Sequence, residues 1–238
     1  MSNWLERTEL LLGEKSIEKL KSSHVLVVGL GGVGAYAAEQ ICRAGVGEMT
    51  IVDGDIINPS NRNRQLPALV STTGLPKAEV LGKRLLDINP ELTLHVIQEY
   101  IRDERMQDLL RNKFDYVVDA IDTLSPKVFL IHDCVKNGLP IVSSMGSGGK
   151  VDPTQVHIAD ISKSNNCALA RILRKRLQRL GIKKGVQVVF STEGVAEHAM
   201  IPCDEPNKKT TLGTISYMPP LFGCIIASVV IRGLVENN

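Results

Sequence analysis

Aromatic residues make up only 4% of the 238 positions. That scarcity argues against a surface of stacking platforms for single-stranded nucleic acid. The five cysteines (Cys42, Cys134, Cys167, Cys203 and Cys224) are odd in number and widely separated. No two fall into a CxxC knuckle, so a cysteine-rich zinc centre is not expected. No leader-like stretch opens the sequence, and the expectation is a reduced, cytoplasmic protein. No apolar run reaches the roughly 20 residues that a membrane span needs. The nearest, Leu221 to Val235, is shorter and holds Arg232. It reads as a buried final helix, with peripheral membrane contact left open and no integral membrane segment. Internal repeats and low-complexity tracts are missing as well.

Acidic residues are missing from one stretch in particular. Between Asp160 and Glu193 there are none, while Lys163, Arg171, Arg174, Lys175, Arg176, Arg179, Lys183 and Lys184 all fall there. The net charge of +2 therefore hides a chain that is net acidic everywhere else. Such asymmetry points to an acidic partner. Leu169, Ile172, Leu173, Leu177 and Leu180 recur at helical spacing, which predicts a helix over Ala168 to Leu180 with one apolar and one basic face. A solvated charged face is the bland reading. Surfaces normally mix both signs, so contact with RNA phosphates through Arg171, Arg174, Lys175, Arg179, Lys183 and Lys184 is the sharper one.

With 43% hydrophobic and 23% charged residues, the composition is that of a globular domain. A chain of this length buries roughly three quarters of its unfolded surface and needs no disulfide or metal to fold. The apolar segments alternate in type. Short β-like runs (Val25 to Val28, Glu48 to Asp53, Leu92 to Ile97, Tyr116 to Ala120, Pro140 to Ser143) are separated by helical stretches (Val33 to Ala44, Pro76 to Asp87, Asp103 to Asn112, Phe129 to Lys136). Glu14 to Lys21 adds a helix upstream. The expected fold is α/β: a Rossmann-like, doubly wound, mostly parallel sheet with helices on both faces. A C-terminal extension of mixed strands (Gln155 to Ile161, Val186 to Phe190), the basic helix and the final apolar helix completes it. Glu197 to Thr214 reads as a mobile loop. One domain, 1–238, is expected, with 1–144 as nucleotide-binding core and 145–238 as the substrate-binding, dimer-completing part.

The apolar run Val25 to Val28 ends in Gly29-Leu-Gly31-Gly32-Val-Gly34, and Asp53 lies 19 residues beyond Gly34. That is the order of a phosphate loop and a ribose-binding acid. Freed N–H groups at the helix start make an anion site. The glycines alone fit NAD, FAD or another dinucleotide. The residues beyond Asp53 favour ATP: Asp55, Asn61, Arg64 and Gln65 in a polar loop, Lys77 in a helical first turn, and Asp122 after a buried strand on the same rim. Fixed cations beside a phosphate site suit a triphosphate, whose leaving group gathers charge, and Asp122 is placed to hold Mg2+. A dinucleotide stays as the alternative at this level.

The ordered set Gly29 to Gly34, Asp53-x-Asp55, Ser60-Asn61-x-x-Arg64-Gln65, Lys77 and Asp122 resembles the ubiquitin-activating-enzyme-like adenylyltransferases of the ThiF, MoeB and HesA group. Asn61-Arg-Asn-Arg-Gln65, Asp119-Ala-Ile-Asp122, Gly148 to Gln155 and Val189 to Glu193 extend the resemblance to the tRNA threonylcarbamoyladenosine dehydratases. It implies that ATP activates the carboxylate of a threonylcarbamoyl group on an adenosine beside the tRNA anticodon. The urea-like part of the same group then closes a ring and AMP leaves. The resemblance also implies catalytic roles for Arg64, Lys77 and Asp122, and nucleotide contacts for Gly29, Gly31, Gly32, Gly34, Asp53, Asp55, Asn61 and Gln65. It further implies a homodimer in which Arg7 reaches the partner's ATP site. A monovalent cation (K+ or Na+) and a sulfur-transfer protein partner stay open. Two rivals stand beside it: an adenylyltransferase for a ubiquitin-like sulfur carrier, with Cys203 as thiol, and a nucleotide-sensing module without turnover.

Overall fold

A computed structural model describes residues 4–205 and 208–236, without the side chains of 202–205 and 208–210. Seven strands form one sheet: β1 (His24–Val28), β2 (Glu48–Val52), β3 (Thr93–Ile97), β4 (Tyr116–Asp119), β5 (Ile141–Ser144), β6 (Val156–Asp160) and β7 (Gln187–Ser191). Their order is β3-β2-β1-β4-β5-β7-β6, all parallel except β6, which runs antiparallel along β7 at the edge. The chain therefore winds outward from β1 through β2 to β3, then returns to the other side of β1 with β4. That reversal between β2 and β4 is the topological switch point where open α/β sheets bind ligands, at the carboxyl ends of the strands.

β1, β4 and β5 are buried along nearly their whole length, polar residues such as Asp119 and Ser143 included, because helices cover both sheet faces. The helices are α1 (Glu6–Leu12), α2 (Glu14–Lys21), α3 (Gly34–Arg43), α4 (Lys77–Ile88), α5 (Asp103–Leu110), α6 (Leu124–Lys136), α7 (Ala168–Arg179) and α8 (Met218–Glu236). One core joins α2, α3, α4 and α8 to one face through Leu20, Ile41, Leu81, Phe222 and Ile226. The other joins α5, α6 and α7 to the opposite face through Met106, Leu130, Ile131, Leu173 and Leu177. Residues 145–238 are woven into this body: β7 pairs with β5, and α8 lies along α3.

Four expectations shift. Residues 197–214 are not a loop throughout, because β8 (Met200–Glu205) and β9 (Lys208–Leu212) pair as an antiparallel ribbon. A two-stranded ribbon is all edge, where proline is tolerated. The ribbon is tied down by Gly149 N–H on Gly213 O at 2.7 Å. The helix expected from Phe129 begins at Leu124, with Pro126 in its first turn where a missing N–H costs nothing. The apolar face of α7 is narrower than its sequence implies: Ala170, Leu173 and Leu177 are buried, while Ile172 and Leu180 are exposed. The final helix spans Met218–Glu236 and is long and apolar enough, by length and composition alone, to cross a membrane. It buries Met218, Phe222, Ile226 and Val230 in the protein core, as a core helix does.

Candidate active site

Backbone pairing brings the relevant residues to one rim. Val28 is opposite Val52 on β2 and Asp119 on β4, and Val52 is opposite Ile97 on β3. The loop after β1, the acid after β2 and the turn after β4 therefore leave the sheet side by side. Gly29 donates to Val52 O at 2.8 Å, and Ala120 donates to Val28 O at 2.9 Å. Gly29 has φ +90°, and a Cβ there would sit 2.7 Å from Ala120 O. A side chain at Gly34 would meet Gly29 O at 1.8 Å, so the loop closes on α3 only because both positions are glycine. Gly31 faces the amide of Gln65, and Gly32 faces Pro219 at the start of α8.

Asp53 braces this loop. Its Oδ2 accepts the Leu30 N–H at 2.6 Å and its Oδ1 accepts the Asp55 N–H at 2.8 Å. Each oxygen keeps a further lone pair for a hydroxyl donor. Burial raises the Asp53 carboxyl above its ordinary range, against the opposing pull of Lys77 and the two N–H donors. Lys77 is buried in the first turn of α4, and its Nζ lies 2.7 Å from Asp55 Oδ2. Tyr100 donates to the other Asp55 oxygen at 2.5 Å. Burial works upward on Asp55, but the Lys77 and Tyr100 bonds outweigh it and hold the carboxyl below its usual range. The same bond, with the carboxylate accepting, pushes the Tyr100 phenol up to about 12.

The polar loop expected over 56–65 contains a 3-10 turn, Pro59–Asn61. Asn61 is buried, and its Oδ1 accepts the Asn58 N–H at 3.0 Å, so this side chain fixes the loop's shape. Arg64 folds onto Ser60 O and Asn63 Oδ1, at 3.0 and 2.8 Å. Gln65 Oε1 is buried without a hydrogen-bond partner among the described residues. Such an acceptor normally finds a donor, and one beside the glycine loop suits an amino or hydroxyl group of a bound nucleotide. Asp122 stands exposed on the rim, and among the described residues its carboxylate meets no donor. Arg7, on the exposed face of α1, likewise has no partner among the described residues.

One group went unread in the sequence. Lys127 and Asp119 form an ion pair at 2.8 Å with both side chains fully buried. Asp119 also accepts from Ser143 Oγ at 2.6 Å and from the Ile121 N–H at 3.1 Å, while Lys127 donates to Ile121 O at 2.9 Å. The network clamps the turn that presents Asp122. Its signal was a lysine at a core position of a helix, four residues before Ile131 and seven before Cys134. Tyr100 left no comparable signal, since it lies in an irregular loop.

On the basic face, Arg171, Lys175 and Arg179 are exposed on α7, and Lys183 and Lys184 on the loop after it. Arg174 differs. Its Nη1 donates to Ser164 O at 2.6 Å and to Ser164 Oγ at 2.5 Å, which ties it to the preceding loop.

A glycine phosphate loop at a switch point, a buried acid beneath it and a buried lysine beside it define a nucleotide-binding α/β protein built for phosphate chemistry. The chain belongs to the ThiF family, matching it over residues 5–238. The tRNA threonylcarbamoyladenosine dehydratase of Bacillus subtilis (strain 168) is 44% identical over 193 residues, 81% of this chain and 76% of that relative. The crystal structure of the E. coli tRNA N6-threonylcarbamoyladenosine dehydratase TcdA with ATP superposes with a TM-score of 0.90 at 34% identity, covering 100% of this chain and 97% of that one. The sulfur carrier protein ThiS adenylyltransferase of Escherichia coli (strain K12) is 32% identical over 136 residues, 56% of this chain and 54% of the relative. The resemblance read from the motifs is thus borne out over the whole chain, and the sulfur-carrier alternative is the distant one.

Proposed function

We propose that the protein is an ATP-dependent tRNA threonylcarbamoyladenosine dehydratase. The full-length match to the ATP-bound dehydratase structure carries this reading. A carboxylate is a poor electrophile because oxide is a poor leaving group. Attack of its oxygen on the α-phosphorus of ATP expels pyrophosphate and installs AMP as a good leaving group. The tethered urea-like nitrogen then attacks the activated carbonyl, AMP departs, and the net change is loss of water. Proximity supplies much of the second step, so no enzyme nucleophile is needed.

The residues present fit ATP: a glycine cradle, a buried acid with spare acceptor capacity, an orphaned Gln65 acceptor and a buried lysine. Gly29 and Gly34 let the loop close, Gly31 and Gly32 admit the phosphates, and Asp53 takes the ribose hydroxyls. Asp55 holds Lys77 ready to exchange its carboxylate partner for a phosphate oxygen. Arg64 swings from its contacts with Ser60 O and Asn63 Oδ1 to the same charge, while Asn61 keeps the loop in shape. We assign Mg2+ to Asp122, an exposed hard oxygen donor; when bound, the ion neutralises charge on the phosphates. Turnover compared in K+ and Na+ salts tests the monovalent cation. Arg171, Lys175, Arg179, Lys183 and Lys184 position the tRNA through its phosphates, with Arg174 mainly shaping that surface. We read 1–238 as one adenylation unit working in the cytoplasm, 1–144 supplying the nucleotide site and 145–238 the tRNA surface. A homodimer places Arg7 at the partner's site.

Incubation with ATP and cellular tRNA, followed by mass analysis of the modified nucleoside, tests the reaction. Loss of water with AMP release is expected; an unchanged nucleoside overturns it. Cys203 lies on β8 and its side chain is outside the described residues. Replacing it with Ser leaves a dehydratase working and stops an enzyme that uses it as thiol. A sulfur-transfer partner is sought by co-purification with the wild-type chain.

A further inference from the structure

The rim of the sheet opposite the nucleotide loop carries a second cluster of chemistry-bearing side chains. His24 opens β1 and Glu48 opens β2, and the two residues stand opposite each other in register. His95 lies on β3 opposite Thr50, so period-two alternation puts Glu48, Thr50 and His95 on one face together with His24. Glu48 Oε1 lies 3.4 Å from His24 Nδ1 and 2.9 Å from His95 Nε2. One ligand atom from each of the three lies within 4.8 Å of the others. Zinc bonds of about 2.0–2.1 Å at tetrahedral angles set ligand atoms roughly 3.3 Å apart, which the His24 separation matches and the shorter His95 separation reaches by a small outward shift of its exposed ring.

The surroundings orient the ligands. His24 Nε2 is 2.9 Å from Thr50 Oγ1. With Nε2–H donating to that hydroxyl, the Nδ1 lone pair faces the Glu48 carboxylate, the arrangement by which an outer-shell partner fixes a metal-binding histidine. Phe114 meets the His24 ring edge-on at 4.6 Å between centroids and walls the inner side. The His95 and Glu48 side chains are 51% and 40% exposed, so an ion has an entry path and open positions for water.

We propose that His24, Glu48 and His95 form a binding site for a divalent transition cation of the zinc class, which ties the amino-terminal half of the sheet together across β1, β2 and β3. Two imidazoles and one carboxylate suit that class; Mg2+ and Ca2+ select oxygen-only sets. The site is separate from the nucleotide's own magnesium, which belongs to the opposite rim. Because the three ligands come from distant points in the chain, the ion favours the folded state over the unfolded one.

The test uses the full chain without nucleotide, titrated with Zn2+ by calorimetry and with Co2+ by absorption. One Zn2+ per chain is expected, with a raised melting temperature, and a nitrogen–oxygen Co2+ spectrum without a thiolate charge-transfer band. His95→Ala and Glu48→Gln, both at exposed side chains, abolish the melting shift and weaken binding by more than the roughly 10–100-fold that loss of an outer-shell partner costs. Thr50→Val weakens it by about 10–100-fold. Failure of the wild-type chain to take up Zn2+, or equal affinity in His95→Ala, overturns the proposal. So does a thiolate band, which would place the ion on the cysteines instead.

Discussion

Lys77 illustrates how much one side chain decides at this site. It is buried at the first turn of α4 and meets the Asp55 carboxylate. Lys77→Met is expected to lower ATP-dependent AMP release by about 10²–10³-fold while leaving the thermal melt nearly unchanged, since Asp55 stays half-exposed to water. Lys127 predicts the opposite balance. Lys127→Met leaves the Asp119 carboxylate buried and unpaired, so a loss of roughly 3–5 kcal/mol in denaturant melts is expected. Glu39 gives a pH test. Burial raises its carboxyl, but bonds from Arg84 at 2.6 Å and Arg43 at 2.9 Å outweigh that and hold it below the ordinary glutamate range. A depressed acid adds stability above its unfolded pKa, and that stability is lost as pH falls through the folded value. Glu39→Gln is therefore expected to cost about 1–2 kcal/mol near neutrality, discounted for the half-exposed arginines, and to flatten the acid limb of the stability curve.

At the scale of elements, α7 carries its cations on a face that packing leaves free, since only Ala170, Leu173 and Leu177 turn inward. Reversal of Arg171, Lys175 and Arg179 to Glu is expected to weaken tRNA binding and lower its salt slope by roughly one for each phosphate no longer neutralised, with ATP affinity kept. Filter binding over a salt series measures both. Arg174 is left out of that set because its bonds to Ser164 make it part of the scaffold. Helical periodicity exposed the amphipathic character of α7 from the sequence. It could not show which long side chain turns back onto the loop, because that depends on where Ser164 lies after folding.

For the whole molecule, the exposed side chains of Leu10 and Leu11 on α1, 89% and 81% accessible, are the evident surplus. They share a helix with Arg7, which makes this face the predicted contact of the proposed homodimer. Leu10→Asp with Leu11→Asp is expected to give a monomer in light scattering after size exclusion, and to remove turnover along with Arg7's reach into the partner. A dimer that persists with full activity would place the contact elsewhere.

The sequence by itself determined the β-α alternation, the phosphate loop and the family. Those depend on short-range rules: apolar period, glycine at positions where a Cβ clashes, and fixed spacing from Gly34 to Asp53. Strand order was not readable, because pairing joins residues far apart in the chain. The shared rim of Gly31, Asp53 and Asp122 followed from the rule for parallel sheets, but only the tertiary structure placed β4 beside β1 and so set the Asp122 turn next to the glycine loop. It alone paired Lys77 with Asp55, buried Lys127 on Asp119 and gathered His24, Glu48 and His95. Each of these is a meeting of charges or donors across two or three elements, and a linear pattern carries no record of such distances.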